Sequence, residues 1–239
     1  MSLVVLKTGT KIPSLVDTAG DYEQWIAAGM GAERFDTVDV AAGEPLPPPT
    51  TPTAVAITGS GAMVTDDAPW IAESAAWLRQ AIDAGVPVLG ICFGHQLLAH
   101  ALGGEVGYNP RGVEVGSVEL RLTAAAQTDP LFHGLPERLP AQVSHRQSVL
   151  RLPAGARLLA ASAMEPHQAF AWGERVWGLQ FHPEFDDRII GHFIEHYRTL
   201  LEEGGHSAEA LLAARTPTPR SREPLTRFGG LYATDGESP

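Results

Sequence analysis

Short apolar runs alternate with helical patterns through the first hundred residues of the chain. Most of these runs are apolar at every position, which is typical of strands buried on both faces of a parallel sheet. The pattern predicts strands at residues 3–6, 35–40, 54–57 and 86–91, and helices at 21–31, 69–84 and 94–102. Strands that alternate with helices indicate an α/β domain whose sheet is covered on both faces.

The pattern changes after residue 104, where strand-like segments follow one another without helices between them. They are predicted at 113–122, 142–152, 157–162, 168–172 and 176–181, and a last helix is predicted at about 185–203. Successive strands without crossover helices favour antiparallel pairing. The sequence therefore predicts one domain over residues 1–203, with three α/β/α layers around a central, mainly parallel sheet.

From residue 204 onward the composition shifts to Gly, Ser, Pro, Thr and Arg. Segments of this kind bury too little apolar surface to order themselves. We predict that residues 204–239 form a flexible or surface-packed tail, with one short helix at 207–214.

The charge balance narrows the range of partners. The 239 residues include 17 basic and 28 acidic side chains, a net charge of −11. Broad binding to nucleic acid or to an anionic membrane requires clustered Lys and Arg, so we expect neither. The first apolar run stops at Lys7, too short for a secretory signal, and no stretch approaches the ~20 apolar residues that span a bilayer. The chain has one cysteine, Cys92, which excludes an intramolecular disulfide and favours a reducing compartment. Because no apolar stretch is long enough to span a bilayer either, we expect a soluble, cytoplasmic protein.

Cys92 lies where a predicted buried strand meets a predicted helix, and it is flanked by Gly90 and Gly94. A sharp strand-to-helix turn needs small neighbours, and it places a nucleophile at the carboxyl edge of the sheet. The free N–H groups and dipole of the helix N-terminus favour a thiolate there. An isolated cysteine is more often a buried structural residue, but the glycine frame favours a nucleophile.

A second motif, His182-Pro183-Glu184, follows the predicted strand at 176–181. A thiolate nucleophile needs a base, and the base needs a group that orients it. His182 and Glu184 have the residue types required for the base and for the group that orients it. The alternative interpretation is that the triplet is only a polar turn after a strand.

A third motif, Thr58-Gly59-Ser60-Gly61, follows the strand at 54–57. Glycine-rich loops at the ends of strands offer backbone N–H groups to an oxyanion. The loop lacks the third glycine of a dinucleotide-binding fingerprint, so we do not predict nucleotide binding there.

The three motifs, in this order, resemble class I (triad-type) glutamine amidotransferase domains, and more specifically the stand-alone, GMP-synthase-like branch. The matching segments are 57–60, 90–96 and 180–185, with further similarity at 109–112, 114–116, 144–145 and 166–170. The resemblance covers about residues 3–200. It implies a flavodoxin-like fold; we expect no cofactor and no metal.

The resemblance implies a role for each matching residue. Cys92 attacks the side-chain amide carbon of glutamine, and the backbone N–H groups of Ser60 and Phe93 hold the oxyanion. His182, oriented by Glu184, protonates the leaving ammonia and then activates the water that releases glutamate from the thioester.

Substrate contacts are implied at five positions. These are Gly59, Gln96, Ser144, His145 and Arg146. Many relatives have Gly after the Ser-His pair, where this chain has Arg146-Gln147. If the family contact there is made by backbone, glutamine binding is retained. If it is not, Arg146 binds a different carboxylate and the substrate is larger than glutamine.

Three functions remain open from the sequence. The chain has no Ser-Gly-Gly-x-Asp-Ser phosphate loop, so the first is a glutaminase that supplies ammonia to a separate ATP-dependent synthetase. The second is a stand-alone hydrolase of γ-glutamyl peptides or amides with the same triad. The third is a catalytically silent thiol-sensing or regulatory subunit. Homo-oligomerisation is left open.

Two other enzyme classes share features with this sequence. Residues 192–196 match H-x-x-E-H, the signature of inverted zinc proteases, whose histidines bind a metal. The simpler explanation of these residues is that they form the solvent-exposed face of a helix. An α/β-hydrolase has its acid before its His in the chain, whereas here Glu184 follows His182.

Overall fold

The computed structural model describes residues 2–233. The strands in chain order are β1 (Leu3–Lys7), β2 (Phe35–Asp39), β3 (Ala54–Ile57), β4 (Val88–Ile91), β5 (Glu105–Tyr108), β6 (Glu114–Leu122), β7 (Arg138–His145), β8 (Gln147–Arg151), β9 (Arg157–Ala161), β10 (Ala169–Trp172) and β11 (Val176–Leu179). The helices are α1 (Tyr22–Met30), α2 (Pro69–Asp83), α3 (Phe93–Ala101), α4 (Asp187–His196), α5 (Arg198–Glu203), α6 (Ala208–Ala213) and α7 (Glu223–Phe228). None of these helices has the length and apolar character needed to cross a bilayer.

Nine strands form one mixed sheet in the order β2-β1-β3-β4-β11-β10-β9-β6-β7. The five strands from β2 to β11 are parallel, and the remaining neighbours pair antiparallel. Seven of the nine strands therefore run in the same direction. Strands β5 and β8 pair separately as a small antiparallel sheet. This arrangement confirms the predicted mainly parallel sheet with an antiparallel region after residue 104.

The central strands are apolar throughout because both of their faces are covered. In β1, Leu3 and Val5 pack into a core shared with α1 and α7, whereas Val4 and Leu6 pack into a core shared with α2 and α3. Strands β3 and β4 divide their side chains between the same two cores. The predicted three layers are confirmed.

Two predicted elements are divided in the structure. The strand predicted at 142–152 is β7 followed by β8, which pair with different sheets on either side of Arg146. The helix predicted at 185–203 is α4 followed by α5, interrupted at Tyr197. Periodicity along the chain does not show which neighbour a segment pairs with, so it did not show these breaks.

Within residues 204–233 the C-terminal segment forms helices that pack against the rest of the domain. Helix α6 lies inside the predicted 207–214, and α7 places Leu225 and Phe228 in the core with no exposed surface. The Phe228 ring packs edge-on against Trp177, with centroids 6.1 Å apart. A composition average does not reveal that a few apolar residues reach an existing core. Residues 234–239 of the predicted tail lie outside the described residues, and the boundary at 203/204 stays a prediction.

We expect Phe228→Ala to lower the free energy of unfolding by about 3–5 kcal/mol, because it leaves a cavity in the core. Leu231→Ala is the matched control, since that side chain is 47% exposed; its effect is expected to stay within about 0.5 kcal/mol. Urea denaturation followed by circular dichroism measures both values. Equal, small effects would mean that the C-terminal segment adds nothing to the core.

Candidate active site

Three loops meet at the carboxyl edge of the parallel strands. Strands β3, β4 and β11 are neighbours, with Ile57 paired to Gly90 and Leu179 paired to Ile91. Parallel neighbours end at the same edge of a sheet. The loops that carry Ser60, Cys92 and His182 therefore lie side by side, although they are far apart in the sequence.

Cys92 occupies the strained turn between β4 and α3. Its φ is +52° and its ψ −102°, and no other non-glycine residue in the described part of the chain has a positive φ. A Cβ on Gly90 would lie 2.3 Å from the carbonyl oxygen of Gly94, and one on Gly94 would lie 2.7 Å from the carbonyl oxygen of Ile57. Both contacts are with backbone, which cannot move aside. The glycine frame of the motif is therefore a steric requirement of this turn.

His182 and Glu184 form a buried hydrogen-bonded pair beside this turn. Nδ1 of His182 lies 2.7 Å from Oε1 of Glu184, which leaves Nε2 as the ring nitrogen free for other contacts. The Phe185 ring stacks on the imidazole with centroids 4.0 Å apart and an interplanar angle of 6°. The carboxylate and the stacked ring together fix the orientation of the imidazole.

The charges around His182 favour its protonated form. Burial lowers the pKa of His182, but the neighbouring charges of Glu184 and Cys92 outweigh burial and raise the pKa to about 10. The ring is therefore an imidazolium at neutral pH and carries a proton that it can donate.

The Cys92 side chain lies between Ser144 and His182. Its sulfur is 3.6 Å from the carbonyl oxygen of Ser144, and its charge is one of the causes that raise the pKa of His182. A Cβ on Gly59 would lie 3.1 Å from Cε1 of His182 and 3.7 Å from Cβ of Cys92. Gly59 therefore packs against both side chains, and a larger residue there would crowd the site.

The backbone N–H groups of Ser60 and Phe93 are available to a ligand. Neither donates a hydrogen bond to another residue of the described chain. The Ser60 hydroxyl donates to the carbonyl of Thr8 at 2.6 Å and accepts from the N–H of Ala62 at 3.0 Å. These bonds hold the loop while its N–H remains free, as an oxyanion site requires.

A small pocket opens beside the Cys92 sulfur. Its lining residues are Ser60, Ala62, Met63, Cys92, Phe93, Gln96, Val113, Ser144, His145, Arg146, Gln147 and Tyr197. The lining includes all the predicted substrate contacts except Gly59, which packs behind it. Sequence reasoning did not assign Ala62, Met63, Val113, Gln147 or Tyr197 to the site, because no motif marks them.

Two of the predicted substrate-contact residues, Gln96 and His145, already form hydrogen bonds with other residues through their side chains. Gln96 donates both amide hydrogens, to the carbonyl of Gln147 and to Oε1 of Gln180, each at 2.8 Å. Only its Oε1 is left for a substrate. The His145 ring contacts Oε2 of Glu114 at 2.8 Å and the carbonyl of Gln147 at 3.0 Å. With both ring nitrogens occupied, His145 can offer a substrate only its ring face or its backbone.

Arg146 and Tyr197 lie at the mouth of the pocket. The Arg146 guanidinium lies over the Tyr108 ring, 5.7 Å from its centroid. Burial and the charge of Cys92 raise the pKa of Tyr197, while the Arg146 charge opposes this rise. Tyr197 lines the same pocket as Cys92 and Arg146.

The H-x-x-E-H motif lies on the exposed face of α4. His192 and His196 are exposed. Glu195 forms an ion pair with Arg198 at 2.9 Å. These contacts match the solvated-face interpretation, and the structure gives no support to the zinc-protease hypothesis.

The model of the family described as glutamine amidotransferase class-I matches residues 15–196. The chain belongs to this family. The match contains all three motifs and ends before α5, so it confirms the resemblance inferred from the sequence. It does not include the C-terminal segment that packs against α1.

The chain is also similar in sequence to glutamine-hydrolyzing GMP synthases and in fold to a solved amidotransferase structure. A glutamine-hydrolyzing GMP synthase of Aeropyrum pernix is 36% identical over 176 residues, which cover 71% of this chain and 32% of that protein. The corresponding protein of Syntrophomonas wolfei is 34% identical over 187 residues, covering 74% and 34%. The chain thus spans about a third of the length of these relatives. A glutamine amidotransferase structure from Thermotoga maritima superposes with a TM-score of 0.74 at 24% identity, covering 95% of this chain and 96% of that one, which shows the shared fold.

Proposed function

We propose that this protein hydrolyses the side-chain amide of L-glutamine through a thioester on Cys92 and supplies the ammonia to a separate synthetase. The observation that carries the proposal is that a strained cysteine, a buried His182–Glu184 pair and two backbone N–H groups lie together at one edge of the sheet. Neither N–H group has an acceptor among residues 2–233. Membership of the class I amidotransferase family supports the same chemistry.

The first half of the reaction forms the thioester. The Cys92 thiolate attacks the δ-carbon of glutamine, and the carbonyl oxygen becomes an oxyanion held by the N–H groups of Ser60 and Phe93. The C–N bond then breaks as His182 donates its proton to the departing nitrogen. The products of this half are ammonia and a γ-glutamyl thioester.

The second half releases glutamate. Neutral His182 now accepts a proton from water, and the hydroxide attacks the thioester carbonyl at the same oxyanion site. The C–S bond breaks, and the thiolate is regenerated beside the imidazolium. Glu184 keeps the same ring nitrogen facing the reaction throughout, because its bond to Nδ1 fixes the tautomer.

An ammonia acceptor lies outside the residues of this chain. The segment shared with the GMP synthases is about a third of their length, and the phosphate loop of an ATP-dependent synthetase is absent from the sequence. We propose that an ATP-dependent synthetase outside these 239 residues accepts the ammonia. A free thiol nucleophile fits the reducing conditions of the cytoplasm, where we place the protein.

A second candidate is hydrolysis of γ-glutamyl peptides or amides without a partner. The observation that favours it is Arg146, whose guanidinium lies at the pocket mouth over Tyr108 without a carboxylate partner among residues 2–233. A guanidinium in this position suits a second carboxylate, such as that of a γ-glutamyl amino acid.

Incubation of the purified protein with L-glutamine and with γ-glutamylglycine tests both candidates. We expect equal amounts of ammonia and glutamate from glutamine, and a γ-glutamyl adduct on Cys92 in mass spectra of the acid-quenched protein. Faster cleavage of γ-glutamylglycine would instead support the second candidate. A reactive thiol with no turnover of either compound would support the silent thiol-sensing subunit.

Glu184→Gln is expected to move the alkaline limb of the kcat/KM profile to lower pH. The Glu184 charge helps to raise the pKa of His182, so without it the imidazolium loses its proton at lower pH. Removing a carboxylate in contact with a titrating group shifts its pKa by about 1–3 units. Initial rates between pH 6 and 10 measure the shift, with the exposed Glu137→Gln as control. An unmoved limb would show that Glu184 does not set the protonation of His182.

A further inference from the structure

Gln147, the first residue of β8, connects three parts of the active site. Its side chain is 1% exposed. The side-chain Oε1 accepts from the N–H of Val64 at 3.1 Å, and Nε2 donates to the hydroxyl of Thr65 at 2.6 Å. Its backbone carbonyl accepts from Nε2 of Gln96 on α3 at 2.8 Å. Gln147 thus links the loop after β3 to the helix that follows Cys92.

The loop over residues 59–65, which we call the oxyanion loop, is held at two points. Near its start, the Ser60 hydroxyl donates to the carbonyl of Thr8. At its end, Val64 and Thr65 bind the Gln147 amide. The residues between these points include Ala62 and Met63, which line the pocket. Among the residues described, Gln147 is therefore the only one whose side chain hydrogen-bonds the far end of this loop to the β8 side of the pocket. Val64 itself also packs into the core that contains Val149 of β8.

We propose that Gln147 is a positioning residue whose side-chain amide fixes the oxyanion loop, so that the N–H of Ser60 stays aimed at the carbonyl oxygen of the substrate. This inference rests on the proposed function, because it assigns the Ser60 N–H to an oxyanion. Preorganised donors stabilise a transition state only if they are held in place before the reaction. A displacement of about 1 Å in such a group costs up to about 100-fold in rate.

The two side-chain bonds can be removed without touching the backbone bond to Gln96. The N–H of Val64 can only donate, so the acceptor oxygen of the Gln147 amide must face it and the NH₂ must face Thr65. Gln147→Leu keeps the approximate volume and removes both bonds. Gln147→Glu keeps both, because a carboxyl oxygen accepts from Val64 and the Thr65 hydroxyl can act as donor or acceptor. Thr65→Val removes one bond and introduces no charge.

Steady-state kinetics with L-glutamine test the proposal. We expect Gln147→Leu to lower kcat by about 10- to 100-fold with a smaller change in KM, because the oxyanion forms only after binding. Gln147→Glu should restore most of kcat, and Thr65→Val should give an intermediate loss. Thr51→Val, at an exposed threonine outside the pocket, is the control. Wild-type kcat in Gln147→Leu would overturn the proposal.

Hydrogen exchange separates this proposal from the function on which it rests. The amides of residues 62–64, which are hydrogen-bonded in the wild type, should exchange several-fold faster in Gln147→Leu, while β1, β3 and β4 keep their protection. Faster exchange throughout the chain would mean a general loss of stability and would contradict a local role. Absence of glutamine hydrolysis in the wild-type protein would refute the proposed function, and the exchange result would still decide whether Gln147 holds the loop.

Discussion

Cys92→Ala is expected to abolish ammonia release from glutamine and to leave the fold intact. No other cysteine is present to take over the nucleophile's role, and loss of a nucleophile in a triad costs about 10⁴-fold or more. Alanine keeps a Cβ at φ +52°, so the backbone strain of the turn is unchanged. The sulfur's contact with the Ser144 carbonyl is long, at 3.6 Å, so little stability is lost with it.

Ammonia release, unfolding temperature and thiol alkylation together check this expectation. The wild-type protein should take up one iodoacetamide per chain and lose activity in proportion, whereas Cys92→Ala should take up none. The unfolding temperatures of the two proteins should agree within a few degrees. Residual turnover close to the wild-type rate would remove Cys92 from the mechanism and end the thioester proposal.

His182→Ala is expected to lower kcat/KM by about 1,000-fold or more, because it removes both the proton donor and the later base. It also removes the positive charge next to the sulfur, so the rate of Cys92 alkylation at pH 7 should fall together with turnover. The alkylation rate needs no substrate and therefore reports on the Cys–His interaction alone.

His133→Ala is the matched control for this prediction, since His133 is exposed. Both activity and alkylation should be unchanged in it. A His182 variant within a few-fold of the wild type in both assays would refute the role of the imidazole. A loss of activity with normal alkylation would limit His182 to proton transfer and exclude a part in activating the thiol.

Local patterns were sufficient to predict the framework of the site. Gly90 and Gly94 could be assigned to a tight turn from their positions beside Cys92, because a turn of this kind tolerates no Cβ. The His182–Glu184 spacing likewise predicted a hydrogen-bonded pair, and the structure has that bond at 2.7 Å. Each of these motifs spans only a few residues, so the local sequence is enough to predict its geometry.

The rest of the pocket could not be predicted in this way. Gln147, Val113 and Tyr197 line it, but they come from three distant parts of the chain and none belongs to a motif. His145 was predicted to contact substrate, yet its ring is engaged by Glu114 and by the Gln147 carbonyl. Glu114 lies 31 positions before His145, and only the pairing of β6 with β7 brings the two together.

The sequence by itself determined the α/β class, the turn at Cys92 and the order of the three motifs, because these depend on periodicity, sterics and residue type over short spans. The tertiary structure decided which side chains line the pocket and which of these are already hydrogen-bonded to other protein groups. It also decided that Leu225 and Phe228 complete a core begun by β1 and α1. These outcomes depend on contacts between distant segments, and the free energy of such contacts is set by the packed neighbours and not by the local pattern.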